Sequence, residues 1–192
     1  MLRRSVTSLR SLAHYPEHVI VHVAADFDDP ATAFEAGALE TDCLVTSRRY
    51  GYDELHIYYQ QLAARSKGEW LLVWNDDAIM LTQDWDVVLD ELPGSVLVAD
   101  LQSHHSPMCC FPAARKRAVD IIGRFCSDNP HVDSFWQDVG RGTGTIAVVP
   151  IHVHHAQVAG RPGWGDQHDY YGPAHQADLT QCAATLREAL AL

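Results

Sequence analysis

No stretch of about 18 apolar residues occurs in the sequence, so no segment reads as a membrane-spanning helix. Basic residues are few: 14 Lys and Arg stand against 25 Asp and Glu, a formal charge of −11. Without a dense Lys/Arg stripe to displace condensed counterions, nucleic acid is excluded as the main partner. Cysteines are scarce and poorly spaced for metal or disulfide chemistry. Cys43, Cys109, Cys110, Cys126 and Cys182 are odd in number and contain no C-x-x-C, which fits reduced thiols and a cytoplasmic location. The amino-terminal "MLRRSVTSLRSLAHY" carries arginines, but Ser5, Thr7, Ser8 and Ser11 interrupt any apolar run, so it does not read as a signal peptide. Its charge alone is compatible with a mitochondrial transit segment.

What the chain does have is alternation. At 192 residues, 47% of them hydrophobic, it is long enough for one domain with a sizeable core. That domain is expected to span 1–192, with its core at about 8–155 and a tail and helix over 156–192. "HVIVHVAAD" reads as a strand ending at Asp26, with Pro30 closing a turn after it. "DCLVTS" is a second strand. From Asp53, a candidate N-cap, Leu55, Tyr59 and Leu62 recur at helical spacing until Gly68. "EWLLVW" is a strand, and Thr82 can cap a helix carrying Trp85, Val88, Leu89 and Leu92. "SVLVADL" is a strand, "FPAARKRAVDIIGRF" reads as a helix entered after Pro112 and left at Gly123, and "TGTIAVVP" with "IHVHH" forms a late strand. A Gly- and Trp-rich tail from Gly160 to Pro173 precedes a closing helix. The pattern predicts an α/β fold, a mostly parallel sheet flanked by helices. Ligands of such sheets bind beyond the carboxyl ends of the strands, which gathers Asp26, Asp28, Ser47-Arg48-Arg49 and Asn75-Asp76-Asp77 on one edge.

The abrupt end of "GEWLLVWNDDAIM" is the most pointed feature. Two adjacent carboxylates repel unless a cation lies between them; at about 4 Å and an effective dielectric near 20 the interaction is roughly 4 kcal/mol. The segment is either a tight turn whose Asn and Asp bond their own backbone, or a ligand set for Mg2+ or Mn2+. A divalent cation would also let so acidic a chain accept a phosphate-bearing ligand that its overall field repels.

"SLRSL", "VIVHVAADFDDP", "RRYGY", "GEWLLVWNDDAIMLTQDWD", "FPAARKRAVDIIGRF", "HVDSFWQDV" and "IHVHH", in that order, resemble the family 2-like glycosyltransferases of the GT-A (Rossmann-like) fold, from about Ser8 to His155. The resemblance implies transfer of a sugar from a nucleotide-diphosphate donor to a sugar or other hydroxyl acceptor, with Mn2+ or Mg2+ and with inversion. Asn75-Asp76-Asp77 then stands at the family's D-x-D: Asp77 ligates metal, while Asn75 and Asp76 face the donor. Asp26 matches the acid that contacts the nucleotide base, with Asp28 nearby. Arg49 faces the diphosphate or caps a helix. Asp133 falls at the catalytic base, which takes the acceptor's proton; its alternative job is to N-cap "SFWQDV", and Asp138 is its nearest rival. A late histidine completes the metal site in this family, with His154 favoured over His155 and His152. Three close histidines could instead hold zinc or form a structural cluster.

His104-His105 reads as a solvated loop, and Trp136, Trp164, Tyr170 and Tyr171 as sugar-stacking or core aromatics. "GRGTG" is no phosphate-binding loop. The family opens with a strand before "SLRSL" that is not evident here. Three expectations compete: a start lying further upstream, a partner chain supplying the edge, or lost nucleotide binding. The bare edge invites pairing, including a homo-oligomer. Two rival functions follow: a non-catalytic binding or structural protein on a degenerate form of this fold, or a metal-dependent hydrolase or nucleotidyltransferase using the same acidic strand end.

Overall fold

A computed structural model describes residues 1–103, 106–155 and 172–191, the side chains of 106–108 excepted. Helix α1 (Leu2–Ser11) buries Val6 and Leu9 and leads through a short 3-10 turn at Pro16–His18 into β1 (His22–Ala25). Helix α2 (Pro30–Ala38) then forms where the sequence suggested only a turn. Asp29 explains it: its carboxylate accepts from the Thr32 N–H at 3.0 Å and the Thr32 hydroxyl at 2.7 Å. Pro30 sits in the first helical turn, where a missing N–H costs nothing. The chain continues as β2 (Asp42–Val45), α3 (Leu55–Arg65), β3 (Trp70–Leu72), β4 (Ala78–Met80), α4 (Trp85–Asp90), β5 (Val98–Ser103), β6 (Ser106–Arg115), α5 (Lys116–Ile122), α6 (Val132–Thr143), β7 (Ile146–His155) and α7 (Pro173–Leu190).

The α/β fold expected from the sequence is present, but its sheet is mixed rather than mostly parallel. β1 and β2 form a parallel pair, and five strands form a second sheet in the order β3-β6-β5-β7-β4. In that sheet only β5 and β7 pair in parallel; β3 with β6, β5 with β6, and β4 with β7 are antiparallel. The main cause is "FPAAR", which extends β6 instead of opening a helix. Phe111, Ala113 and Ala114 are fully buried between the two neighbouring strands. That burial overrides the helical propensity of alanine. Helix α5 therefore begins only at Lys116, and it ends as expected at Gly123, whose φ of 81° suits glycine.

Reversal of β6 leaves an important property intact. β3 and β5 are each antiparallel to β6, and β7 is parallel to β5, so β3, β5 and β7 all run the same way. Their carboxyl ends share one edge. Helices cover both faces of this sheet. Val98, Phe135, Trp136, Val139, Leu179 and Leu186 make one core beneath α6 and α7. Leu9, Trp85, Leu89, Ala99, Leu101 and Ile151 make the other beneath α1 and α4. Trp136 is fully buried, which settles it as a core residue. In α6, a Cβ added at Gly140 would lie 2.8 Å from Ile146 Cβ and 3.2 Å from Val98 Cβ, so glycine is what lets this helix approach the sheet. All five cysteines are free thiols.

Candidate active site

The acidic turn is built from three directions. Asn75 O accepts from the Ala78 N–H at 3.1 Å, closing a tight turn between β3 and β4. A tight turn is thus present, closed by the backbone rather than by the Asn or Asp side chains as expected, and both carboxylates stay out of that bond. Helix α1 pins the turn from one face: Ser5 Oγ donates to Asn75 O at 3.2 Å and accepts from Trp74 Nε1 at 2.7 Å. Ser8 Oγ accepts from the Met80 N–H at 2.9 Å. Helix α3 contributes Tyr59, whose hydroxyl lies 3.2 Å from Trp74 O and 3.1 Å from Asn75 Oδ1.

Asp77 then meets the end of β7. Its Oδ1 lies 3.2 Å from His155 Nε2, with both side chains largely buried. The His155 ring stands edge-on to Phe111, centroids 5.2 Å apart, and its Nδ1 is buried with no hydrogen-bond partner among the described residues. Side chains alternate along a strand. His155 therefore shares a face of β7 with the buried Ile151 and Val153, while His152 and His154 project from the other. Geometry thus brings Asp77 to His155 rather than to the favoured His154. Thr82, expected as a helix cap, instead accepts from the His152 N–H at 2.7 Å and ties down the same strand.

Asp26, Asn75, Asp76, Asp77, Asp133 and His155 all line one cavity of about 1300 Å3. Asp26 accepts from the hydroxyls of Tyr58 and of Thr46, the latter at 3.3 Å. Arg49 bridges Asp26 at 3.6 Å and Asp28 at 3.0 Å, and neither Arg49 nor Asp28 lines the cavity. Asp133 is not the cap of α6; that position is His131, and Asp133 Oδ1 accepts from the Ser134 N–H at 2.7 Å. Burial raises the Asp133 carboxyl above its ordinary 3.8, against the lowering effect of that hydrogen bond. Burial likewise pushes the Tyr59 phenol up, and the charges of Asp133, Cys126, Asp76 and Asp77 push it further; Tyr59 lines the same cavity as the three carboxylates. Asp138 does not line the cavity. His104, His105, Trp164, Tyr170 and Tyr171 lie outside the described residues.

Tyr59, Ser5 and Ser8 are the site residues that the sequence did not disclose. A tyrosine on the apolar stripe of a helix carries a hydroxyl that needs a partner once buried, and that was the available signal.

The electrostatics of the cavity are one-sided. Among the described residues no Lys or Arg lines it, whereas Asp26, Asp76, Asp77 and Asp133 do. Among the described residues no three His, Cys, Asp or Glu side chains converge as a metal cage. Asp77 with His155 suits a different kind of site, one carboxylate and one imidazole with the remaining positions open to water and phosphate oxygens, the usual manner of Mg2+ and Mn2+.

The sequence matches no protein-family model and no curated protein. Among solved structures, the fold is similar to that of the mannosyltransferase PcManGT from Pyrobaculum calidifontis, solved in complex with GDP-Man and Mn2+. The TM-score is 0.65 at 14% sequence identity, covering 99% of this chain and 71% of that one. The shared feature is the glycosyltransferase-like α/β fold. No helix among the described residues is long and apolar enough to cross a membrane.

Proposed function

We propose that this chain transfers a sugar from a nucleotide-diphosphate donor to a hydroxyl acceptor, with Mn2+ or Mg2+ held by Asp77 and His155 and with Asp133 as base. The observation that carries this reading is the pairing of Asp77 with His155 inside a cavity lined by four further site residues and, among the described residues, by no Lys or Arg. A diphosphate would not enter such a cavity alone, and a divalent cation bound there would neutralise it and stabilise the leaving group's growing charge.

The remaining roles belong to the chain's own side chains. Tyr59 fixes the turn so that Asp77 and Asp76 stay presented. Asp26, anchored by Tyr58 and Thr46, offers a carboxylate to the nucleotide. Asp133 takes the acceptor's proton as its oxygen attacks the anomeric carbon, and the bond from that carbon to the diphosphate breaks. Attack opposite the leaving group inverts the configuration. The raised proton affinity of Asp133 suits a base better than an ordinary exposed carboxylate.

GDP-mannose is the first donor to test, because the structural neighbour binds it. Calorimetry with GDP-mannose and UDP-sugars, with and without Mn2+, should show binding that depends on the metal. Absence of metal-dependent binding to every donor would favour the non-catalytic reading. Release of nucleoside diphosphate, rather than monophosphate or pyrophosphate, separates sugar transfer from the hydrolase and nucleotidyltransferase readings.

A further inference from the structure

The proposed base, Asp133, is the second residue of α6, and the loop that leads into this helix is held on two sides. From α3, the Gln60 side chain accepts from the Phe125 N–H and donates to Cys126 O, both at 2.8 Å. From α7, Asp178 pairs with Arg124, and His175 reaches Asn129. Asn129 is the centre of this second attachment. Its Nδ2 lies 2.8 Å from His175 Nδ1 and 3.1 Å from Ser127 Oγ, while its Oδ1 accepts from the His131 N–H at 2.9 Å. His131 is the N-cap of α6, and its carbonyl accepts from the Phe135 N–H at 3.1 Å. The Asp133 carboxylate is set by the same turn, through the Ser134 N–H at 2.7 Å. A chain of contacts therefore runs from the first turn of α7 to the base.

These contacts have a fixed polarity. Oδ1 of Asn129 is committed to the His131 N–H, so the amide turns its NH2 group, which only donates, toward His175. Nδ1 of His175 must then accept, which requires a neutral ring with its proton on Nε2. A second proton would go on Nδ1 and face the amide donor. Two rearrangements relieve that clash, and each loosens the cap. The ring can turn its new N–H to Ser127 Oγ, 3.4 Å from Nδ1, and let go of Asn129. Alternatively the amide can turn over, which sets its NH2 against the His131 N–H. The titratable and charged groups around this relay are Asp178 on α7, Arg124 and Asp128 in the loop, His131 and Asp133 at the start of α6, and His56 on α3. Of these, Arg124 and Asp178 are paired with each other.

We propose that His175 is a positioning residue for Asp133, acting through Asn129 and the cap of α6, and that it acts only as the neutral imidazole. The relay stands on geometry alone; its effect on turnover rests on the sugar-transfer reading. A base must lie within hydrogen-bond reach of the hydroxyl it deprotonates. A displacement of about 1 Å at such a group can lower the rate by about 10²-fold. The attachments at Gln60 and Arg124 keep the loop in place when His175 is lost, so the effect falls on placement of the base rather than on folding. Helix α7 thereby gives the site a second acid-sensitive element, separate from the titration of Asp133 itself.

Nuclear magnetic resonance on the full, isotope-labelled chain tests the relay without any ligand. At about pH 8 the His175 ring should carry its proton on Nε2 and none on Nδ1. As the pH falls toward about 5, the amide signals of His131 and Ser134 should move with the midpoint of the His175 ring. Protection of the His131 amide, corrected for the intrinsic pH dependence of exchange, should fall by about tenfold. His175→Asn places an amide oxygen where Nδ1 was and does not titrate, so this midpoint should vanish from both signals. A proton on Nδ1 in the alkaline sample would overturn the proposal, as would a midpoint that survives in His175→Asn. A second arm measures GDP release from GDP-mannose with Mn2+. His175→Leu should lower kcat by about tenfold and leave KM within about twofold, and His175→Asn should restore kcat. A parent-like kcat in His175→Leu would overturn the proposal too. A parent chain that releases no GDP would count against the sugar-transfer reading alone, and the ring and amide signals would still decide the relay.

Discussion

His155 Nε2 lies 3.2 Å from Asp77 Oδ1, although one residue ends the ten-residue strand β7 and the other sits on the turn after β3. This contact joins the carboxyl end of β7 to the acidic turn that follows β3.

Asp77→Ala and His155→Ala should each weaken Mn2+-dependent donor binding by at least about tenfold, the scale of losing a metal's protein support. His154→Ala should stay within about twofold of the parent, because His154 projects from the opposite face of β7. Calorimetric titration with Mn2+ and GDP-mannose checks all three. Equal losses for His154 and His155 would undo the choice between them.

Asp133→Asn should spare donor binding and lower turnover by about 10²-fold or more, as expected for a missing base. The pH dependence has a definite sign. The base works only when deprotonated, and burial raises its folded-state pKa above 3.8, so activity should fall as pH drops through that raised value. Between the unfolded and folded pKa values the native state binds more protons than the unfolded one, so this residue's contribution to stability declines as pH rises through the folded pKa. A kcat profile paired with thermal unfolding at several pH values measures both.

Tyr59→Phe removes a hydroxyl that reaches Trp74 O and Asn75 Oδ1 and keeps the ring. Stability should fall by about 1 kcal/mol, the net worth of a hydrogen bond. Metal-dependent donor affinity should fall by about tenfold, the low end for a residue that supports a metal site from outside it, because Tyr59 holds the turn that presents Asp77. Denaturant unfolding and calorimetry separate the two. Lost stability with unchanged affinity would make Tyr59 merely structural.

Gly140→Ala sets two effects against each other. Alanine in a helix gains about 1 kcal/mol over glycine. The new Cβ, however, would lie 2.8 Å from Ile146 Cβ, and a Cβ cannot swing aside as a side-chain tip can. Overpacking costs about 1–3 kcal/mol, so a net loss of about 1 kcal/mol is expected, with Gly140→Val losing more. Chemical denaturation of the two variants checks the ranking.

Strand ends were the most legible part of the sequence. Apolar runs halting at Asp26 and at Asn75-Asp76-Asp77 did place those residues around one cavity. That worked because β3, β5 and β7 keep a common direction even with β6 reversed. "FPAAR" misled because alanine's helical preference is weak and burial between two strands outweighs it. Helix α2 was hidden behind Pro30, which marks a turn and a helical first position equally well. The choice among His152, His154 and His155 turned on strand register, and a one-residue shift exchanges the two faces. Contacts such as Ser5 to Trp74 join distant segments and leave no local pattern to read.

Because Ser5 and Ser8 reach from helix α1 to both sides of the acidic turn, this helix serves as a mechanical anchor for the turn. A purification tag that tugs on or frays this helix would disturb ligand binding from outside the pocket. Preparations labelled at the carboxyl end are therefore the sounder starting material for measuring it.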